Sequence, residues 1–176
     1  DGTTDSQADT VTISTENSPP AADAGADQTV YVKDTAHLDG SSSSDADGDE
    51  LTFKWSFTSK PSGSSAVLSS ASTVNPTFVV DAAGSYIMQL IVNDGTTDSQ
   101  ADTVTISTEN SRPAADAGAD QAVYVSDTVH LDGSSSSDAD GDELTCRWSF
   151  TSKPNGSSAV LSSASTVNPT FVVDVA

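Results

Sequence analysis

Leu51-Thr52-Phe53-Lys54-Trp55-Ser56-Phe57 decides the fold. Large apolar residues stand at every second position, with Thr52, Lys54 and Ser56 between them. A β-strand points alternate side chains to opposite faces, so Leu51, Phe53, Trp55 and Phe57 share one face. A helix would scatter them around its circumference. The segment therefore predicts a strand with one face against a core and Trp55 as its largest anchor.

Working outward, the same period of two recurs. Short strands are expected at 28–32, 35–39, 65–69, 76–81, 84–93 and 102–107. In the fifth of these, Tyr86, Met88, Leu90 and Val92 fall on one face. Pro76 stands at a strand start, where a missing N–H does least harm. Turn clusters separate the segments, among them 40–44, Lys60-Pro61-Ser62-Gly63 and Asp94-Gly95. No helical period or capping box is present. Seven short antiparallel strands imply an all-β, immunoglobulin-like two-sheet sandwich.

The unit is repeated. Asp1-Gly2-Thr3-Thr4-Asp5-Ser6-Gln7 returns at Asp94–Gln100, a period of 93 residues. Between 1–83 and 94–176 only eight positions differ: Pro19/Arg112, Thr29/Ala122, Lys33/Ser126, Ala36/Val129, Phe53/Cys146, Lys54/Arg147, Ser62/Asn155 and Ala82/Val175. The phase makes 1–16 the last strand of a preceding repeat and 17–109 a complete repeat. Residues 110–176 are then an incomplete repeat lacking its last two strands. Near-identical tandem copies suit a protein whose useful property is length or valency.

These residues resemble a known family. Gly40-Ser41-Ser42-Ser43-Ser44-Asp45-Ala46-Asp47-Gly48-Asp49 followed by Leu51–Trp55 is similar to the PKD (polycystic kidney disease) domain signature. So are the opening Pro20-Ala21-Ala22-Asp23-Ala24-Gly25 and the closing Gly84-Ser85-Tyr86 with Leu90-Ile91-Val92-Asn93-Asp94-Gly95. The insert Lys60-Pro61-Ser62-Gly63-Ser64-Ser65 is similar to the PKD-like subgroup. The resemblance implies a tandem array in an extracellular, cell-surface protein. Such modules serve as spacers and adhesion units, or as accessory carbohydrate- or protein-binding modules of secreted enzymes. Fold alone does not choose among these roles.

The composition narrows the partners. There are 26 acidic and 6 basic residues, a formal net charge of −20. That surface repels nucleic acid and anionic membranes. No apolar run approaches the roughly 20 residues that span a bilayer. The single cysteine, Cys146, has no internal partner and replaces an inward-facing phenylalanine, so a buried, inert thiol is expected. His37 and His130, copies of one position, are expected to face outward. No activated nucleophile or acid–base pair is legible, which argues against an enzyme.

Asp45-Ala46-Asp47-Gly48-Asp49-Glu50 is the sharpest candidate site. Carboxylates at alternate positions around a glycine suit a hard cation such as Ca2+, which takes six to eight oxygens. In a sandwich this loop shares a pole with the last hairpin, which carries Asp94, and with the incoming linker. Calcium-binding relatives of the resembled family use the acidic loop, the hairpin aspartate and linker residues. Carried over, the ligands are Asp45, Asp47 and Asp94, with Asn17 and Ser18 donating oxygens and Asp49 either ligating or solvated. The third copy offers Asp138, Asp140 and Asp142. The alternative is a surface turn capped by aspartate side chains, without metal. The expected partners are neighbouring repeats, including head-to-tail self-assembly by addition of strand 1–16 to another chain. The expected role is a stalk, fibre or adhesin with calcium-stiffened linkers.

Overall fold

A computed structural model describes residues 2–3 and 7–175. Among the described residues there is no helix. Residues 17–109 form six strands: β1 (Gln28–Val30), β2 (Thr35–His37), β3 (Thr52–Ser59), β4 (Thr77–Val79), β5 (Ser85–Asn93) and β6 (Asp102–Thr108). One sheet has the order β1-β6-β5-β3, and β2 pairs with β4 in the other. β5 runs antiparallel to both β3 and β6, whereas β1 runs parallel to β6. Two sheets of this order, closed by a parallel first strand, are the immunoglobulin-like sandwich.

The alternation in the sequence is what fills the space between the sheets. Tyr86, Met88, Leu90 and Val92 of β5 and Val104 and Ile106 of β6 are wholly buried. They meet Ala36 and Phe78 of the second sheet, with Leu38 and Val80 just beyond it. Trp55 lies among them, while Leu51, Phe53 and Phe57 of the same face are half-buried at the rim. Phe57, Phe78 and Tyr86 form an aromatic cluster, Phe57 edge-on to Phe78 at 5.1 Å and Tyr86 5.2 Å from Phe78. Gly40 is required by close approach. A Cβ there would lie 3.1 Å from Leu90 Cδ2 and 3.2 Å from Trp55 Cζ2.

Two expectations need correction. Residues 65–69 form no strand. They are held by single contacts instead, Ser69 N–H to the Thr77 carbonyl at 2.8 Å and Asp81 to Ser64 and Ser65. Residues 7–16 form no strand either, although 9–15 repeat the sequence of β6 letter for letter. Val104 and Ile106 in β6 are fully buried, but their counterparts Val11 and Ile13 are 85% and 88% exposed. A strand exists only where a neighbour supplies its hydrogen bonds, and here 9–15 have none. Positions 1 and 4–6 of that segment lie outside the described residues.

Residues 110–175 repeat the pattern in part. β7 (Thr128–His130) and β8 (Thr170–Val172) pair just as β2 and β4 do. Phe150 and Phe171 keep the 5.1 Å edge-on contact. The counterparts of β1 and β3 form no strands, because β6 and β5 are their only ladder partners in 17–109.

Candidate functional site at the acidic pole

The loop 45–50 follows Ala21 and Ser44, whose backbones pair and fix where the loop leaves the sheet. Gly48 takes a φ of +83°, which reverses the chain inside the loop. Asp45 organises the turn: its Oδ1 accepts the Asp47 N–H at 2.8 Å and the Asp49 N–H at 3.3 Å. The aspartate-capped turn expected from sequence is thus present. It does not exhaust the carboxylates. One ligand oxygen from each of Asp45, Asp47 and Asp49 lies within 4.8 Å of the others. Asp45 Oδ2 is buried and accepts no hydrogen bond.

The linker and the last hairpin do come to this pole. Ser18 N–H donates to Asp47 Oδ2 at 2.6 Å, and Asn17 Nδ2 donates to Asp94 Oδ2 at 2.9 Å. Both linker residues therefore donate N–H groups at this pole. Asp94 is only 8% exposed and stands apart from the triplet. Its Oδ1 accepts Thr96 N–H, Thr96 Oγ1 and Thr97 N–H at 2.6–2.8 Å, closing its own hairpin. The Asn17 amide, followed by these hairpin donors, holds the Asp94 carboxyl well below the usual carboxylate range. Asp94 is the brace that ties the linker to the hairpin.

The second copy reproduces the loop. Asp138 Oδ1 accepts Asp140 N–H at 2.8 Å, Ser111 N–H donates to Asp140 Oδ2, and Asp138, Asp140 and Asp142 again converge. Its buried, unpartnered oxygen is Asp140 Oδ1.

Residues 24–108 match the family described as K319L-like, PKD domain, and residues 110–162 match the family described as PKD domain. The chain belongs to the PKD domain family. Two PKD domains in tandem, in 93-residue register, make it a structural repeat module of extracellular type.

Three solved structures are similar to it. One is a nucleoside hydrolase-related hypothetical protein from Saccharophagus degradans that is associated with carbohydrate metabolism (22% identity, TM-score 0.47, 53% of this chain and 26% of that one). Another is the PKD domain from KIAA 1837 protein (28%, 0.44, 56% and 96%). The third is the extracellular cadherin domains 3–6 of protocadherin gamma B2 (15%, 0.40, 89% and 39%). The chain spans about a quarter of the first of these proteins.

Several expectations were silent on, or wrong about, particular residues. The Asp81 cluster gave no sequence signal, because its members are scattered. Asp81 accepts from Ser64 Oγ at 2.6 Å and Ser65 N–H at 2.7 Å, and Tyr86 Oη lies 2.9 Å from it. Tyr86 Oη also accepts the Ala82 N–H at 2.9 Å, so one phenol closes the β4–β5 corner. Cys146 is half-buried, not buried, as is Phe53 at the same rim position of the complete repeat. His37 and His130 are exposed as expected.

Proposed function

We propose that this chain is a non-catalytic building unit of a cell-surface stalk, fibre or adhesin, whose linkers are clamped to the acidic pole of the next PKD domain and stiffened there by Ca2+. The observation that carries this reading is the clamp itself. Asn17 and Ser18 reach two different elements, the hairpin at Asp94 and the loop at Asp47, and join both to the linker. A linker held at two points transmits orientation, whereas a free one does not.

The calcium part rests on the donor set. Three carboxylates converging on one point repel each other, and a buried oxygen without a donor is costly to leave unpaired. A hard divalent cation relieves both, and carboxylate oxygens are its preferred ligands. Asp45, Asp47 and Asp49 would hold it in the complete repeat, and Asp138, Asp140 and Asp142 in the next. Asp94, Asn17 and Ser18 then act beside the ion by fixing the linker. The bound ion would supply charge neutralisation and a rigid cross-link within the loop. The burial of Trp55, Phe78 and Tyr86 inside the sandwich favours a structural role over a flat aromatic platform for sugars.

Calcium titration followed by calorimetry tests this. The transition of 17–109 should rise on adding Ca2+, fall back with a chelator, and become insensitive in Asp45→Asn. A transition indifferent to calcium in the native chain would remove the metal from the mechanism and leave the hydrogen-bonded clamp alone.

A further inference from the structure

The chain carries 26 acidic residues, yet one face of the complete repeat holds none. In the sheet β1-β6-β5-β3, alternate residues point away from the core. On that outer side the four strands present threonine, serine, glutamine, asparagine and isoleucine, with a single charge, Lys54. Ile87 and Ile91 stand half-buried along its middle, Ile87 beside Thr105 and Ile91 beside Lys54. The outer side of the β2-β4 sheet differs, because the same alternation carries it on into the exposed Asp39 and Asp81. Of the eight differences between copies, Lys54/Arg147 keeps the charge of the acid-free face and Thr29/Ala122 adds no carboxylate to it. Surfaces of one sign repel, so two copies approach most readily where the carboxylates are missing.

We infer that this sheet face docks laterally on the same face of a second copy of the chain, about a two-fold axis that runs along the strands between β5 and β6. The charges select that axis. Lys54 pairs with Ile91 on β5, and the adjacent Leu90 pairs with Asp102 on β6. Asp102 Oδ2 accepts the Ala24 N–H at 2.7 Å, so the exposed Asp23 stands level with Lys54 at the opposite margin of the sheet. Rotation about an axis along the strands keeps that level and exchanges the margins. Each Lys54 is then laid beside the other copy's Asp23, and the contact forms twice, as an isologous interface requires. The same axis leaves both chains pointing one way, so arrays standing side by side pair along their length.

The area sets the strength. Four strands about 4.8 Å apart and about 25 Å long offer roughly 450 Å² per copy, against the roughly 800 Å² per partner of stable complexes. One pair of faces is therefore weak. A repeat array carries one such face every 93 residues and joins many weak pairs in series. Lateral pairing goes beyond the calcium-stiffened clamp and does not rest on it.

The test uses the 176-residue protein with Cys146→Ser, which removes the native thiol, and a chelator throughout. Thr103→Cys places an exposed thiol on β6 near the axis, and His37→Cys places one on the outer side of the other sheet as the control. With a short bismaleimide at high protein concentration, covalent dimer should form at position 103 about tenfold faster than at position 37, because docking raises the local thiol concentration. Lys54→Glu should bring the position-103 rate down to the control, and adding Asp23→Lys should restore it. Ser56→Glu, at another exposed position of the face, should slow it in the same way. Equal rates at positions 103 and 37, or a position-103 rate indifferent to both Lys54→Glu and Ser56→Glu, overturn the inference. A soluble neutral polysaccharide that shields the position-103 thiol of a chain that does not cross-link assigns the face to a glycan and also overturns it. Because no free calcium is present, failure of the metal assignment leaves this test intact.

Discussion

Phe78 and Phe171 occupy the same position in nearly identical surroundings, Val129 replacing Ala36 opposite the ring, and truncating each to alanine separates local from tertiary stabilisation. Phe78 is 2% exposed and packs against Phe57 at 5.1 Å and Tyr86 at 5.2 Å. Phe171 is half-buried and keeps only the Phe150 contact at 5.1 Å. A fully buried Phe→Ala change costs about 3–5 kcal/mol, the transfer term plus the cavity left behind. The Phe78 cavity is walled by β-sheet on both sides and has little freedom to collapse, so the upper half of that range applies. At roughly 4–8 °C per kcal/mol for a domain of this size, Phe78→Ala should lower the melting of 17–109 by about 16–40 °C. Phe171 already meets solvent, and its truncation removes less apolar contact. Its cost should be about half as large and leave the transition of 17–109 unmoved. Scanning calorimetry of the two variants, with circular dichroism to confirm the assignment, provides the comparison. Equal shifts in both variants, or a Phe78→Ala shift below about 5 °C, would refute the reasoning that β5 and β6 create the difference.

Three further outcomes follow from single features. Tyr86→Phe keeps the ring but strips the hydroxyl from Asp81 and the Ala82 N–H, and should cost about 1–2 kcal/mol in urea unfolding. Lys33 sits at φ +78°, where a side chain is strained, so Lys33→Gly should stabilise by about 1 kcal/mol and raise the melting temperature. Ser64 and the Ser65 N–H hold the Asp81 carboxyl, and Asn17 that of Asp94, below their ordinary value of 3.8. Folded values lower than unfolded ones mean stability that is fully present above pH 3.8 and lost as pH falls through the folded values. Unfolding measured between pH 5 and 2 should show that decline, and Asp81→Asn should flatten part of it.

The acidic pole was legible in part. Alternate aspartates around Gly48 marked the loop, and sandwich topology brought linker and hairpin to it. Which oxygens converge was not legible. Asp94 was expected as a ligand from the family resemblance, and its two oxygens accept from Asn17 and from its own hairpin. The linker residues expected to bring oxygens, Asn17 and Ser18, also donate N–H groups at this pole. The Ser18 donation depends on backbone orientation, which residue type does not encode. The Asp81–Ser64–Tyr86 corner was invisible for a related reason: its members are far apart in sequence and serine is abundant throughout.

The near-identical copies separate what sequence determines alone from what tertiary structure decides. Local turns recur wherever their sequence occurs. Asp39 caps Ser41 as Asp132 caps Ser134, and Asp34 accepts the Tyr31 N–H as Asp127 accepts that of Tyr124. Lys33 and Ser126 share a left-handed φ although their side chains differ. These features close within a few residues, so the partner is always present. Strands behave otherwise. Residues 9–15 and 102–108 have one sequence, yet only the second is a strand. Residues 52–59 form β3, while 145–152, differing at two positions, form no ladder. The period-two pattern fixed which face each segment would bury, and the 93-residue repeat fixed the unit. Whether the segment becomes a strand is decided by a neighbour many residues away, because its hydrogen bonds and its apolar face are both satisfied only across the sheet.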